Sequence, residues 1–131
     1  MASLVYQLLC NYYEGGSENM DVKAITDGLQ VAMVVSDADF NIIYANKRGE
    51  EVFKALLNVD DLVGRNMTGC HKPETIEKLK KIYQDFADKK TKLHYYVMDT
   101  PDGKATVVSV PFFNGAKLGG VVEFVFESAL G

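Results

Sequence analysis

Cys70 and His71 form the most reactive-looking pair of side chains in this sequence, which contains two cysteines and two histidines. Adjacent residues rarely direct both side chains at one substrate, so the pair is a poor candidate for a nucleophile and its general base. The sequence contains no Gly-x-Ser-x-Gly elbow, phosphate-binding loop, His-Glu-x-x-His zinc motif or dinucleotide fingerprint. Because no carboxylate is predicted to lie deep in a cleft either, we expect that the protein is not an enzyme.

The composition indicates one soluble globular domain and excludes several classes of partner. A net charge of -4 and a pI near 5.1 argue against a nucleic-acid-binding surface, which requires a basic face. No apolar run approaches the ~20 residues that a transmembrane helix needs, so direct membrane insertion is not expected. Cys10 and Cys70 are far apart and lack metal-type spacing, which is typical of a reducing compartment and favours a cytoplasmic location.

The first half of the chain predicts two short strands and a helix. Between residues 28 and 36, apolar side chains alternate with other residues, which is the pattern of a half-buried strand. Residues 37–39 are Asp-Ala-Asp, a turn signal, and residues 40–44 form a second β-prone run. Asn46 is a good N-cap for a helix over Lys47 to Leu57, which has apolar residues on one face.

The second half predicts one long helix followed by three strands. Pro73 suits the first position of a helix whose apolar face carries Ile76, Leu79, Tyr83 and Phe86. Pro-Asp-Gly and Asn-Gly turns then connect an antiparallel meander of three strands, Leu93 to Asp99, Lys104 to Phe113 and Leu118 to Glu127. In the last strand, the alternation separates Val122, Phe124 and Phe126 from Val121, Glu123, Val125 and Glu127.

Taken in order, these elements resemble a PAS (Per-Arnt-Sim) sensory domain of the bacterial signalling type. The resemblance covers residues 22–127 and is carried by Ser-Asp-Ala-Asp at 36–39, Tyr-Ala-Asn at 44–46 and Leu-Val-Gly-Arg-Asn at 62–66. It implies an α+β fold, with a five-stranded antiparallel sheet in the order 2-1-5-4-3, helices on one face and an N-terminal flanking helix. The expected domains are an N-terminal helix and linker (1–19), the PAS domain (20–127) and a C-terminal tail (128–131).

The resemblance implies a sensory or regulatory module that binds a small ligand or cofactor. Such a module transmits a conformational signal to a partner or to an output domain. An amphipathic pattern from Leu4 to Tyr12 predicts a helix ahead of the domain. In PAS domains such a helix often pairs with another protomer, which implies a homodimer, whereas the alternative is that it folds back over its own sheet. A further alternative is a ligand-free PAS module that serves only as a dimerisation surface.

The pocket that the resemblance implies lies between the central helices and the sheet. Its predicted lining, apart from His71, is Met67, Ile76, Leu79, Tyr83, Val97, Val110, Phe112 and Phe124. His71 precedes the long helix, where a neutral imidazole could bind haem iron axially, as a histidine near this helix does in haem-binding PAS sensors. Alternatively His71 caps the helix or faces water, and His94 is expected at the surface or the pocket edge. The cofactor is therefore unknown, with haem as one option.

Gly64-Arg65-Asn66 matches the start of Gly-Arg-Asn-Cys-Arg, the signature of flavin-binding LOV domains. Met67 occupies the position of the signature cysteine and Cys70 comes three positions late, so the thiol that forms the flavin adduct is absent. The last strand also lacks the flavin-facing glutamine. We therefore do not expect a light-sensing flavin module.

Overall fold

The structure is a computed structural model that describes residues 20–69 and 71–128. In chain order these residues form α1 (Val22–Asp27), β1 (Ala32–Asp37), β2 (Ile42–Ala45), α2 (Lys47–Leu57), a 3-10 turn (Met67–Gly69), α3 (Pro73–Ala87), β3 (His94–Thr100), β4 (Gly103–Asn114) and β5 (Lys117–Phe126). The helix predicted within residues 1–19 lies outside the described residues, as does Cys70. No helix in the described ranges is both long and apolar enough to cross a membrane.

The five strands form one antiparallel sheet in the order β2-β1-β5-β4-β3, which confirms the predicted strand order. The last strand in the chain, β5, is the central strand and pairs with β1 on one side and β4 on the other. Short turns join β3 to β4 and β4 to β5, as the Pro-Asp-Gly and Asn-Gly sequences predict. Gly103 and Gly115 have φ angles of 130° and 67° at these turns, which residues with a Cβ rarely adopt.

Helices α2 and α3 pack against the same face of the sheet, which we call the helix side. Phe53 of α2 packs against the buried Val107 of β4 and Val125 of β5. Tyr83 of α3 is buried, and its hydroxyl oxygen lies 2.5 Å from Ser36 Oγ of β1. Because side chains alternate along a strand, the helix side also carries Ala32, Val34, Val121 and Glu123.

The opposite face of the sheet, which we call the outer face, is also largely apolar. The strand register places Phe124 of β5 between Met33 of β1 and Val108 of β4 on this face. The rings of Phe124 and Phe126 lie on the same side, with their centroids 6.3 Å apart. The two faces of the sheet therefore differ little in hydrophobicity.

Asn46 joins α1, β1 and α2, and it confirms the predicted N-cap. Its Oδ1 accepts hydrogen bonds from the backbone N–H groups of Met33 at 2.9 Å and Gly49 at 2.7 Å. Its Nδ2 donates to the carbonyl oxygens of Thr26 at 2.8 Å and Val31 at 2.9 Å. The side chain is fully buried, so each of these bonds satisfies a group that water does not reach.

The chain reverses direction at Gly64. This glycine has a φ angle of 98°, and its backbone N–H donates to the Ile42 carbonyl oxygen at 2.8 Å. The Ile42 N–H in turn donates to the Arg65 carbonyl oxygen at 2.8 Å. The reversal is therefore bonded to the edge strand β2, and Leu62 just before it is buried in the core.

Candidate functional site

Four residues from four neighbouring strands form a line across the helix side of the sheet: Val34, Glu123, Ser109 and His94. We call this line the cross-strand row. Neighbouring strands lie about 4.8 Å apart, so Glu123 on the central strand and His94 on the edge strand are separated by roughly 10 Å. The row therefore places a carboxylate, a hydroxyl and an imidazole on the face that α2 and α3 cover.

Glu123 is an ionisable residue at the centre of the sheet with apolar neighbours. Val121 and Val125 flank it along β5 and are 2% and 3% exposed, and Val34 beside it on β1 is 4% exposed. Part of the Glu123 surface reaches solvent, but its surroundings desolvate the carboxylate and raise its pKa to about 7. No hydrogen bond or ion pair within the described ranges involves this carboxylate. The prediction that no carboxylate lies in the cleft is therefore wrong.

Two tyrosines lie close enough to Glu123 for its charge to affect them. Burial raises the pKa of Tyr83 well above its ordinary value; the hydrogen bond with Ser36 opposes this shift, and the charge of Glu123 adds to it. Burial also raises the pKa of Tyr96, again with a contribution from Glu123. Tyr83 is 7% exposed and Tyr96 is 47% exposed. Both phenols therefore stay neutral at physiological pH, one inside the core and one at its open side.

The side chain of His71 is held by the residue four positions earlier. Its Nδ1 lies 2.7 Å from the Met67 carbonyl oxygen. A carbonyl oxygen can only accept, so Nδ1 carries the hydrogen and, in the neutral ring, Nε2 keeps its lone pair. This is the arrangement in which metal-binding histidines are commonly held. The described residues contain no group of three or more histidine, cysteine or acidic side chains that could hold a metal ion.

Two grooves flank the cross-strand row on the helix side. One, of about 390 Å³, lies between α3 and the edge of the sheet, and its lining includes Lys78, Ile82 and His94. The other, of about 430 Å³, lies between α2 and the β3–β4 hairpin, with Met98 and Val125 in its lining. The helix side of β3 therefore remains accessible from both ends, which agrees with the exposure of Tyr96.

The nine residues predicted to line the pocket do not lie together. Five of them are on or near α3, on the helix side: Met67, His71, Ile76, Leu79 and Tyr83. The strand register places the other four on the outer face: Val97, Val110, Phe112 and Phe124. The prediction of one shared lining is thus wrong for these four, because the alternation within a strand does not say which of its two apolar sides the helices cover. His94 does lie at a groove edge, as expected.

Sequence reasoning missed Glu123 and Ser109 as site residues. The signal was present in β5, where a glutamate interrupts a run of valines and shares its side of the strand with Val121 and Val125. A charged residue in that position needs an explanation if the valine side is the buried one. A pocket lining that includes Phe124 places Glu123 on the other side of β5, away from the predicted pocket.

A family model described as a PAS domain matches residues 22–127. Comparison with solved structures finds the same fold in a C-terminal domain from Streptococcus mutans, with 23% identity, 79% of this chain and 80% of that chain covered, and a TM-score of 0.66. The PAS domain of BvgS from Bordetella pertussis is 13% identical, with 82% and 84% covered and a TM-score of 0.58. A sensory box sensor histidine kinase from Vibrio cholerae is 14% identical, with 99% and 97% covered and a TM-score of 0.55. A comparison with curated proteins found no match.

Proposed function

Because this chain belongs to the PAS domain family, we propose that it is a sensory module that binds a small ligand on the helix side of its sheet. The ligand site is the space around the cross-strand row, between α2 and α3. The module passes the state of this site to a partner or to an output domain. The similar structures include a sensory box sensor histidine kinase, which supports a signalling role of this kind.

The observation that carries the proposal is the polar character of the cross-strand row. A domain that served only as a dimerisation surface would be expected to fill the space beneath its helices with apolar side chains, because burying a polar group without a partner costs free energy. Here Glu123 and Ser109 lie on that face instead, and the groove between α3 and the edge of the sheet reaches His94 at the end of the row. Convergent polar groups in a partly apolar cleft are typical of a ligand site.

Signal transmission is proposed to run through the junction at Asn46. Helix α2 lies against β1 on the helix side, and Asn46 bonds the start of α2 to β1 and to the end of α1. A ligand that favours one packing of α2 on the sheet would also favour one position of α1. Residues 1–19, which precede α1, would carry this change to a second protomer in a homodimer or to another partner.

Library screening with a pocket-filling variant tests the proposal. Purified protein is examined by native mass spectrometry and by thermal shift against a library of small metabolites. Ser109→Leu should fill the space beside Glu123 and abolish binding of any ligand found. Val110→Leu is the control, because it also places a leucine on β4, one position along and on the outer face. Binding that survives Ser109→Leu, or the absence of any ligand, would contradict the proposal.

Haem binding through His71 is a second candidate, and the His71 hydrogen bond favours it. With Nδ1 donating to Met67, Nε2 is the nitrogen that would bind iron, and Ile76, Leu79 and Tyr83 would lie on the same side of the sheet. Bound haem would supply a redox-active or gas-binding iron. Titration with haemin should give a Soret band that His71→Ala abolishes and His94→Ala retains. If the absorbance spectrum of the mixture equals the sum of the spectra of free haemin and of the protein alone, this candidate is excluded.

A further inference from the structure

We propose that the ligand of the helix-side site is a small organic cation, with an ammonium group on an apolar or aromatic body, and that Glu123 is its counter-ion. This inference rests on the proposed function, since it names the ligand class of the same site.

The first argument is the position of Glu123. It lies on the central strand, with the nearly inaccessible valines 34, 121 and 125 on three sides and Ser109 on the fourth. A carboxylate in such surroundings is costly unless a positive charge or hydrogen-bond donors compensate for it. Within the described ranges, no lysine, arginine or hydrogen-bond donor does so. A bound cation would provide the missing partner.

The second argument is the set of groups around the carboxylate. Tyr83 and Tyr96 both lie within range of its charge. Aromatic rings attract ammonium groups through their negative faces, and Tyr96, which is 47% exposed, is the accessible ring of the two. Ser109, next to Glu123 in the cross-strand row, adds a hydroxyl oxygen that can accept a hydrogen bond from an ammonium group.

The third argument is the path to the site. The cross-strand row leads over roughly 10 Å from Glu123 to His94, which lines the groove beside α3. Ile82 in the same groove and the exposed part of Tyr96 offer apolar surface along this path. A ligand whose ammonium group contacts Glu123 would therefore place its apolar part between α3 and β3. This length fits a molecule of the size of an arylalkylamine.

The test compares probes that share a ring and differ in charge. Tyramine and benzylamine are titrated calorimetrically into the protein at pH 8, alongside 4-hydroxyphenylacetate and benzoate. We expect the amines to bind and the carboxylates to bind at least about tenfold more weakly, because a like charge placed beside the Glu123 carboxylate is repelled. Glu123→Gln should weaken amine binding at least about tenfold. Glu74→Gln, the same substitution at an exposed position of α3, should leave it unchanged.

The outcomes separate this inference from the proposed function. Amine binding that Glu123→Gln leaves unchanged, or carboxylates that bind as well as the amines, would overturn the inference. The library could also yield a neutral or anionic ligand whose binding is lost in Ser109→Leu but kept in Glu123→Gln. That result would overturn the inference, while the proposed function would stand. A protein that binds no organic ligand of either charge would overturn both. Thermal unfolding of each variant shows that it is folded before its binding is compared.

Discussion

Replacing Glu123 with glutamine should stabilise the domain at neutral and alkaline pH. The folded protein raises the pKa of this carboxyl from 4.5 to about 7 because its surroundings desolvate the charged form. Between these two values the folded state binds more protons than the unfolded state, so the free energy of unfolding falls as pH rises. The wild-type protein thus has the full contribution of this group below pH 4.5 and loses it as pH rises through about 7. Glutamine, which does not titrate, removes this dependence.

The size of the effect follows from the two pKa values. With an unfolded pKa of 4.5 and a folded pKa of about 7, the wild-type protein should lose about 2.5 kcal/mol relative to Glu123→Gln between pH 5 and pH 8. This is an upper bound, since part of the Glu123 surface reaches solvent and water can stabilise the charge.

Urea denaturation of both proteins at several pH values measures this difference. The other titrating groups are common to the two proteins and cancel when their free energies of unfolding are subtracted. Glu74→Gln, at an exposed position, controls for the loss of one negative charge. A difference between wild type and Glu123→Gln that stays constant from pH 5 to pH 8 would refute the reasoning, because the carboxyl would then titrate alike in both states.

Three further substitutions test the packing described above, each by urea denaturation. Gly49→Ala should destabilise the domain by about 2 kcal/mol or more, because the added Cβ would lie 2.3 Å from the Met33 carbonyl oxygen. Gly69→Ala is the control and should be close to neutral, because the space around its Cβ is open. Asn46→Ala should lower the free energy of unfolding by about 3 kcal/mol, since it removes an N-cap and leaves buried backbone groups without partners. A loss below about 1 kcal/mol would contradict the role given to this junction. Tyr83→Phe should lower the free energy of unfolding by about 1–2 kcal/mol, because it leaves the buried Ser36 hydroxyl without its partner. An unchanged free energy of unfolding would show that this hydrogen bond does not stabilise the domain.

Local chemistry made much of the fold predictable from the sequence. Asn46 can accept from N–H groups that lack a partner at a helix start, Pro73 lacks the N–H that would be unpaired there, and Gly64 tolerates a positive φ angle. Each of these residues acts through its own backbone or its near neighbours, so its effect can be deduced without the rest of the chain. The strand order needed more than this, and it came from the resemblance to the PAS family.

The candidate site was harder to predict because it depends on which side of the sheet the helices cover. Alternation along β5 correctly separated Phe124 from Glu123, but both sides of this strand are rich in apolar residues. The larger phenylalanine side chains favoured their side of β5 as the pocket lining. In the structure the smaller valines of β5 are the ones that pack beneath α2 and α3. Only the tertiary contacts of Phe53 and Tyr83 resolve this ambiguity.

The central place of β5 also has a consequence for how the chain folds. Its pairing with β1 joins residues separated by about 90 positions, so these contacts close a long loop and should form late and slowly. Without β5, the sheet would divide into the hairpins β1–β2 and β3–β4, and two-stranded hairpins are at best marginally stable in water. On the ribosome, the domain could therefore complete its sheet only after β5 had emerged.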